Sequence, residues 1–164
     1  MKGTLMPSVA VLAADGFETI ECLTMVDVMR RGGVRATLVS IMPTREVVSS
    51  LQIPVTCDAL FDEINFDEYD CVVLPGGLPG ATNLRADQRV CDVVCEFAAT
   101  KHVAAICAAP VVLAKAKETQ GESLRKGFQH FTQDMQALRK AKADTPSEAL
   151  EPLEFAVGKD VACT

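Results

Sequence analysis

The stretch VAAICAAP, residues 103–110, sets one cysteine, Cys107, between an apolar run and a series of small residues. A cysteine attacks as its thiolate, so a nucleophilic role asks for surroundings that favour the anion. A helix N-terminus offers them through unpaired N–H groups and the helix dipole. Pro110 stands where the first turn of a helix would begin. Ala108 and Ala109 let neighbouring backbone approach the corner closely. The segment therefore has the mechanics of a nucleophile elbow, a sharp strand-to-helix turn that presents one side chain. A structural cysteine buried at a strand end is the other reading, because free Cys is among the most buried residue types. Spacing alone weighs the two about equally.

Three other groups carry chemistry. Glu21 falls early in a helical stretch, DGFETIECLTMVDVMRR, and by itself reads as an exposed charge that suits the helix dipole. Gly76 and Gly77 follow the apolar run CVVLP and read as a tight turn that needs positive φ. Cys91 and Cys95 lie four apart on one helix face; with no His or Cys at zinc-type spacing after them, core packing is the reading. Of the two histidines, His102 is five residues before Cys107 on the same expected strand, about 16 Å away at its far end. His130 lies in GFQHF, where Phe128, Phe131, Met135 and Leu138 have helical spacing; a solvated or partly packed helix residue is its first reading, with acid/base work second.

These groups need elements to hold them. SVAVLAA (8–14) is a continuous apolar run, as in a strand covered on both faces. The following helix places Cys22, Met25, Val26 and Met29 on one side, sets Arg30 and Arg31 in its last turn and stops at Gly32-Gly33. RATLVSI (35–41) is the next strand, so the chain opens strand–helix–strand with a parallel crossover. EVVSS and IPVTCDAL read as short strands leading off the main sheet, and INFDEYD as a short helix or turn. CVVL ends in Pro75-Gly76-Gly77; ADQRVCDVVCEFAAT is an amphipathic helix with Val90, Val94 and Phe97 on its apolar side; HVAAI is the next strand, followed after Cys107 by the helix APVVLAKAK. The alternation predicts an α/β fold, an open, mostly parallel sheet with helices on both faces. DGFE, LPGG and Cys107 all fall at carboxyl ends of strands, where such folds build their sites.

The chain has 164 residues, which suits one domain spanning 1–164, and its 49% hydrophobic residues supply a core that is aliphatic because aromatics are only 5%. A net charge of -6 argues against nucleic acid or an anionic membrane as partner. The seven cysteines, several in apolar runs, read as reduced thiols of a cytoplasmic protein. The N-terminal stretch has one Lys, a Pro in its apolar part and an acidic end, which makes it a first strand rather than a signal peptide, and no apolar run spans a bilayer.

DGFETIECLTMVDVMRRGG, YDCVVLPGGLPGATNLR and VAAICAAPVVLAKA together resemble the ThiJ/PfpI superfamily, in its Parkinson-disease-protein and YajL-like deglycase branch. The resemblance covers about residues 8–117, and 118–164 diverge. It implies a flavodoxin-like, Rossmann-like sandwich without a cofactor. It makes Cys107 the nucleophile and Glu21, the second acidic residue of FETIE, a protonated partner that hydrogen-bonds the thiolate. It assigns the oxyanion to the backbone N–H groups of Gly77 and Ala108, and gives Glu18 a supporting role in the loop. It also implies a homodimer, with the helix carrying Asp27 and Arg31 as a candidate interface. This chain lacks the His or Cys before Pro that much of the branch carries after the elbow helix. It also lacks the branch's hairpin and GPGT-like loop; only LEPLEFAVGKD (150–160) is similar to the closing helix.

The implied activity is cofactor-independent conversion of methylglyoxal-type dicarbonyls to lactate, or deglycation of the thiol and amine adducts they form. The alternative is a non-catalytic oxidative-stress sensor or redox-regulated chaperone built on the same cysteine. Peptidase-like relatives place His directly after the elbow cysteine, where this chain has Ala108, and a glutamine amidotransferase needs a histidine that the spacing does not provide.

Overall fold

The computed structural model describes residues 7–119 and 162–163. In chain order the elements are β1 (Ser8–Ala13), α1 (Thr19–Arg31), β2 (Arg35–Ser40), β3 (Glu46–Val48), β4 (Pro54–Thr56), β5 (Ala59–Leu60), β6 (Cys71–Leu74), α2 (Gly80–Ala86), α3 (Gln88–Thr100), β7 (His102–Ala105), α4 (Pro110–Thr119) and β8 (Ala162–Cys163). Single 3-10 turns at Phe61–Glu63 and Phe66–Glu68 lie between β5 and β6.

The main sheet runs β5-β2-β1-β6-β7-β8, and every pairing in it is parallel. All six residues of β1 are buried, as its apolar run requires for a central strand packed on both faces. Alternate residues feed two cores. Ala10 and Leu12 face Leu84 of α2, Val90, Val94 and Phe97 of α3, and Val112, Leu113 and Ala116 of α4. Val9, Val11 and Ala13 face the other way, onto Cys22 and Val26 of α1 with Val47 and Cys57 beyond. The helices thus cover both faces of the sheet, as the alternation of elements predicts.

α1 occupies the expected stretch. Arg30 and Arg31 sit in its last turn, Arg31 pairs with Asp27 one turn back at 2.8 Å, and Gly32 caps it before Gly33 turns the chain at φ 78°. Two features differ from the sequence reading. β3 and β4 do form a separate antiparallel pair, but Ala59–Leu60 joins the main sheet beside β2 as its edge. Two residues are too short to show a periodicity. α2 is an additional helix of seven residues; its Pro-Gly start disguises it, and its place is fixed by burial of Ala81 and Leu84.

The entries of β1 and β6 are tied together by Ser8 and Asp70. Asp70 Oδ2 accepts from Ser8 N at 2.8 Å and from Ser8 Oγ at 2.9 Å, while Asp70 N–H donates to Ser8 O at 2.9 Å. The Ser8 backbone and hydroxyl bonds hold the Asp70 carboxyl below its ordinary value, helped by Lys101 and Arg35. A carboxylate depressed in the folded state stabilises above its unfolded pKa of about 3.9, and that contribution disappears as pH falls through the lower folded value. Asp70→Asn should therefore lower the thermal midpoint at neutral pH, with the gap to wild type narrowing steadily below about pH 4. Thermal melts at several pH values check this.

Candidate active site

β1 and β6 are neighbours, yet the chain leaves them in opposite directions: from β1 through α1 to β2 on one side, from β6 through α2 and α3 to β7 on the other. At such a switch point the loops after the two strands part and leave a crevice at their carboxyl ends. The loops 14–18, 75–79 and 106–109 meet there.

The third loop is the elbow. Ile106 N–H still donates to Leu74 O at 3.1 Å, so the chain is held to β6 up to the residue before the cysteine. Cys107 then takes φ 58°, one of only two non-glycine residues with positive φ among those described. Ala109 N–H closes the turn on Ile106 O at 3.0 Å, and α4 starts at Pro110. Left-handed backbone at a residue other than Gly, Asn or Asp is uncommon and costs about 1 kcal/mol or more, so the surrounding bonds must enforce it. The turn leaves Cys107 exposed.

Glu21 reaches the same place from α1. Glu18 is the N-cap, in extended conformation, and its Oε2 accepts from Glu21 N at 2.7 Å. Glu21 Oε2 accepts from Gly76 N at 2.9 Å, and Glu18 N–H donates to Gly76 O at 2.9 Å. A β-carbon built on Gly76 would lie 2.5 Å from Glu21 Oε2, 2.7 Å from Cys107 Cβ and 3.0 Å from Ala108 N. The carboxyl, the elbow cysteine and the N–H after it therefore converge on one glycine. Gly77, at φ 92°, packs instead against the loop after β1: its β-carbon would fall 2.6 Å from Gly16 O and 2.6 Å from Phe17 C. Among the described residues the N–H groups of Gly77 and Ala108 make no hydrogen bond.

Cys22, Cys57, Cys71, Cys91 and Cys95 are of a different kind. Cys22 and Cys57 are buried on the α1 face, and burial first, with neighbouring Cys57 and Glu18 for Cys22 and Asp58 for Cys57, pushes each thiol up to about 12. Cys71 is raised to about 11 by burial and Asp70. Cys91 and Cys95 are core residues, as their spacing suggests; Cys95 Sγ lies 3.2 Å from Ala116 O, and burial raises both thiols. Such thiols are poor nucleophiles. Among the described residues no three His, Cys, Asp or Glu side chains are grouped to hold a metal ion. No helix among them is long and apolar enough to cross a membrane.

Of the residues singled out by sequence, the structure brings together Cys107, Glu21 and the Ala108 N–H. His102 opens β7 at the far end of the strand, with its Nδ1 buried and unpartnered. His130 and the LEPLEFAVGKD segment lie outside the described residues. Sequence reasoning gave Gly76 only a turn. The doublet Gly76-Gly77 signals a close approach, but which of the two lies against the cysteine depends on contacts from α1 and the elbow.

Similar proteins bear on this geometry. The DJ-1/PfpI family profile matches residues 7–150. "Protein dj-1beta" of Drosophila melanogaster is 35% identical over 118 residues, 71% of this chain and 63% of its own length. "Deglycase TK1284" of Thermococcus kodakarensis is 31% identical over 124 residues, covering 76% of this chain and 72% of that protein. The solved structure "Toxoplasma gondii DJ-1, oxidized" superimposes with TM-score 0.71 at 25% identity, over 96% of this chain and 81% of that one. The aligned part is 63% or less of several DJ-1 relatives, down to 25% of "Protein DJ-1 homolog B" of Arabidopsis thaliana. With the profile covering most of the chain and the fold shared, the chain belongs to the DJ-1/PfpI family.

Proposed function

We propose that the protein is a cofactor-independent, cysteine-dependent enzyme acting on methylglyoxal-type dicarbonyls or their thiol and amine adducts. The observation that carries this reading is the convergence of Glu21 Oε2, Cys107 Cβ and Ala108 N around Gly76. Cys107 adds as thiolate to the aldehyde carbon, and the new alkoxide takes a proton from Glu21, giving a hemithioacetal. The Glu21 carboxylate removes the proton on that carbon, and the electron pair moves to the neighbouring carbonyl to give an enediolate. The N–H groups of Gly77 and Ala108 hold the oxyanion. Glu21 returns a proton to the second carbon while the first hydroxyl proton passes to the second oxygen, leaving a thioester of lactate. Water then hydrolyses the thioester and restores the thiol, so the sum is methylglyoxal plus water to lactate.

The reading takes residues 1–164 as one domain, the working species as a cytoplasmic homodimer, and the small dicarbonyl or its adduct as the partner, in line with the family. The name of the Thermococcus relative supports deglycation as the adduct form of the same chemistry. A second reading, an oxidation sensor or redox-regulated chaperone, draws on Cys107 being exposed while Cys22, Cys57, Cys91 and Cys95 are buried and Cys71 is half-buried. The two separate by stoichiometry. With methylglyoxal and no glutathione, an enzyme accumulates many lactates per chain. Folded protein that makes none, yet consumes about one or two peroxides per chain at Cys107, is a sensor and ends the enzymatic reading.

A further inference from the structure

We infer that Glu18 is a positioning residue, whose carboxylate holds the first turn of α1 so that the Glu21 carboxyl meets Gly76 beside Cys107. Three hydrogen bonds form a ring between two loops distant in sequence. Glu18 N–H donates to Gly76 O, Gly76 N–H donates to Glu21 Oε2, and Glu21 N–H donates back to Glu18 Oε2. The ring contains both polar atoms of the Gly76 backbone, so a change in the aim of Glu21 is felt on the loop that touches the cysteine. Ser, Thr, Asp and Asn are the usual N-caps, and Glu is not among them. The longer side chain at Glu18 reaches the third helical N–H, which belongs to Glu21. No other side chain does this at the turn: Thr19 Oγ1, next in sequence, is buried without a partner. The loops leave no slack, because a β-carbon on Gly77 would overlap the Glu18 backbone nitrogen.

For catalysis the inference rests on the proposed function, but its structural half is testable without turnover. A cap that served only the helix would protect the Glu21 amide and leave Gly76 alone. A positioning role links the two. In Glu18→Ala, amide hydrogen exchange at Gly76 is expected to accelerate about tenfold relative to Val11 in the central strand. Dividing by Val11 removes any global loss of stability. Lactate formation from methylglyoxal should fall about 10- to 100-fold in kcat with KM little changed, because orientation rather than binding is lost. Glu18→Gln retains an oxygen that can accept from Glu21 N–H, and should restore both the Gly76 exchange ratio and kcat to within about threefold of wild type. An unchanged Gly76 to Val11 ratio in Glu18→Ala overturns the inference, as does a Gln variant as impaired as the Ala variant. Wild-type protein that makes no lactate while Gly76 still responds to Glu18 overturns the proposed function and leaves the positioning role standing.

Discussion

Glu21→Gln should lower kcat for lactate formation from methylglyoxal by about 10²- to 10⁴-fold, the range for loss of a positioned proton carrier. The variant is nearly isosteric, and its amide oxygen can still accept the 2.9 Å bond from Gly76 N–H, so the loop geometry is expected to persist. What disappears is the capacity to give up a proton on addition, remove one from the hemithioacetal and deliver one to the enediolate. Steady-state kinetics beside a thermal melt separates this from unfolding. A Gln variant that is folded and within tenfold of wild type would remove Glu21 from the chemistry and leave it a structural acceptor.

The second large effect is expected at Gly76. Its φ lies outside the left-handed region, so alanine is no problem for the backbone there, and the cost is purely steric. The added methyl would stand 2.5 Å from Glu21 Oε2, which can swing away, but also 2.7 Å from Cys107 Cβ and 3.0 Å from Ala108 N, which cannot. Relief must come from displacing both the carboxyl and the elbow. Gly76→Ala should cost about 100-fold or more in kcat, since a shift of about 1 Å in a reacting group has that effect. Overpacking should cost about 1–3 kcal/mol in stability. Gly33→Ala is the contrasting substitution. That glycine has φ 78° and nothing within 4 Å of its missing β-carbon, so alanine there strains the backbone far from the site and should leave kcat unchanged. Equal kcat losses in the two variants would mean that crowding at Gly76 is not what matters.

Much of the scaffold was legible because it is written in local pattern. The uninterrupted apolar run of β1 marks a strand buried on both faces. The spacing of Cys22 and Val26, with Arg30-Arg31 and Gly32-Gly33 behind, marks both ends of α1. α2 and the edge strand β5 were not legible, since seven and two residues hold too little periodicity and take their conformation from what they pack on. The site shows the same division. Cys107 stands out at a strand-to-helix corner, but its positive φ comes from the bonds of Ile106 and Ala109 and cannot be read from an Ile-Cys-Ala tripeptide. Glu21 by itself is only a charge near a helix start. Its inward turn depends on Gly76, 55 residues away. The family resemblance pairs Glu21 with Cys107 but assigns Gly76 nothing beyond a turn, so the bond that turns Glu21 inward is visible only in the structure.

The central claim is that Cys107 is the nucleophile of a glutathione-independent reaction on dicarbonyls. Its most direct test compares lactate formation from methylglyoxal by the wild-type protein and by Cys107→Ser, at equal folded concentration and without glutathione. The account predicts many turnovers for wild type and none above background for Cys107→Ser. Equal lactate production by the two would contradict it, because a serine hydroxyl at the elbow has no thiolate with which to form the hemithioacetal.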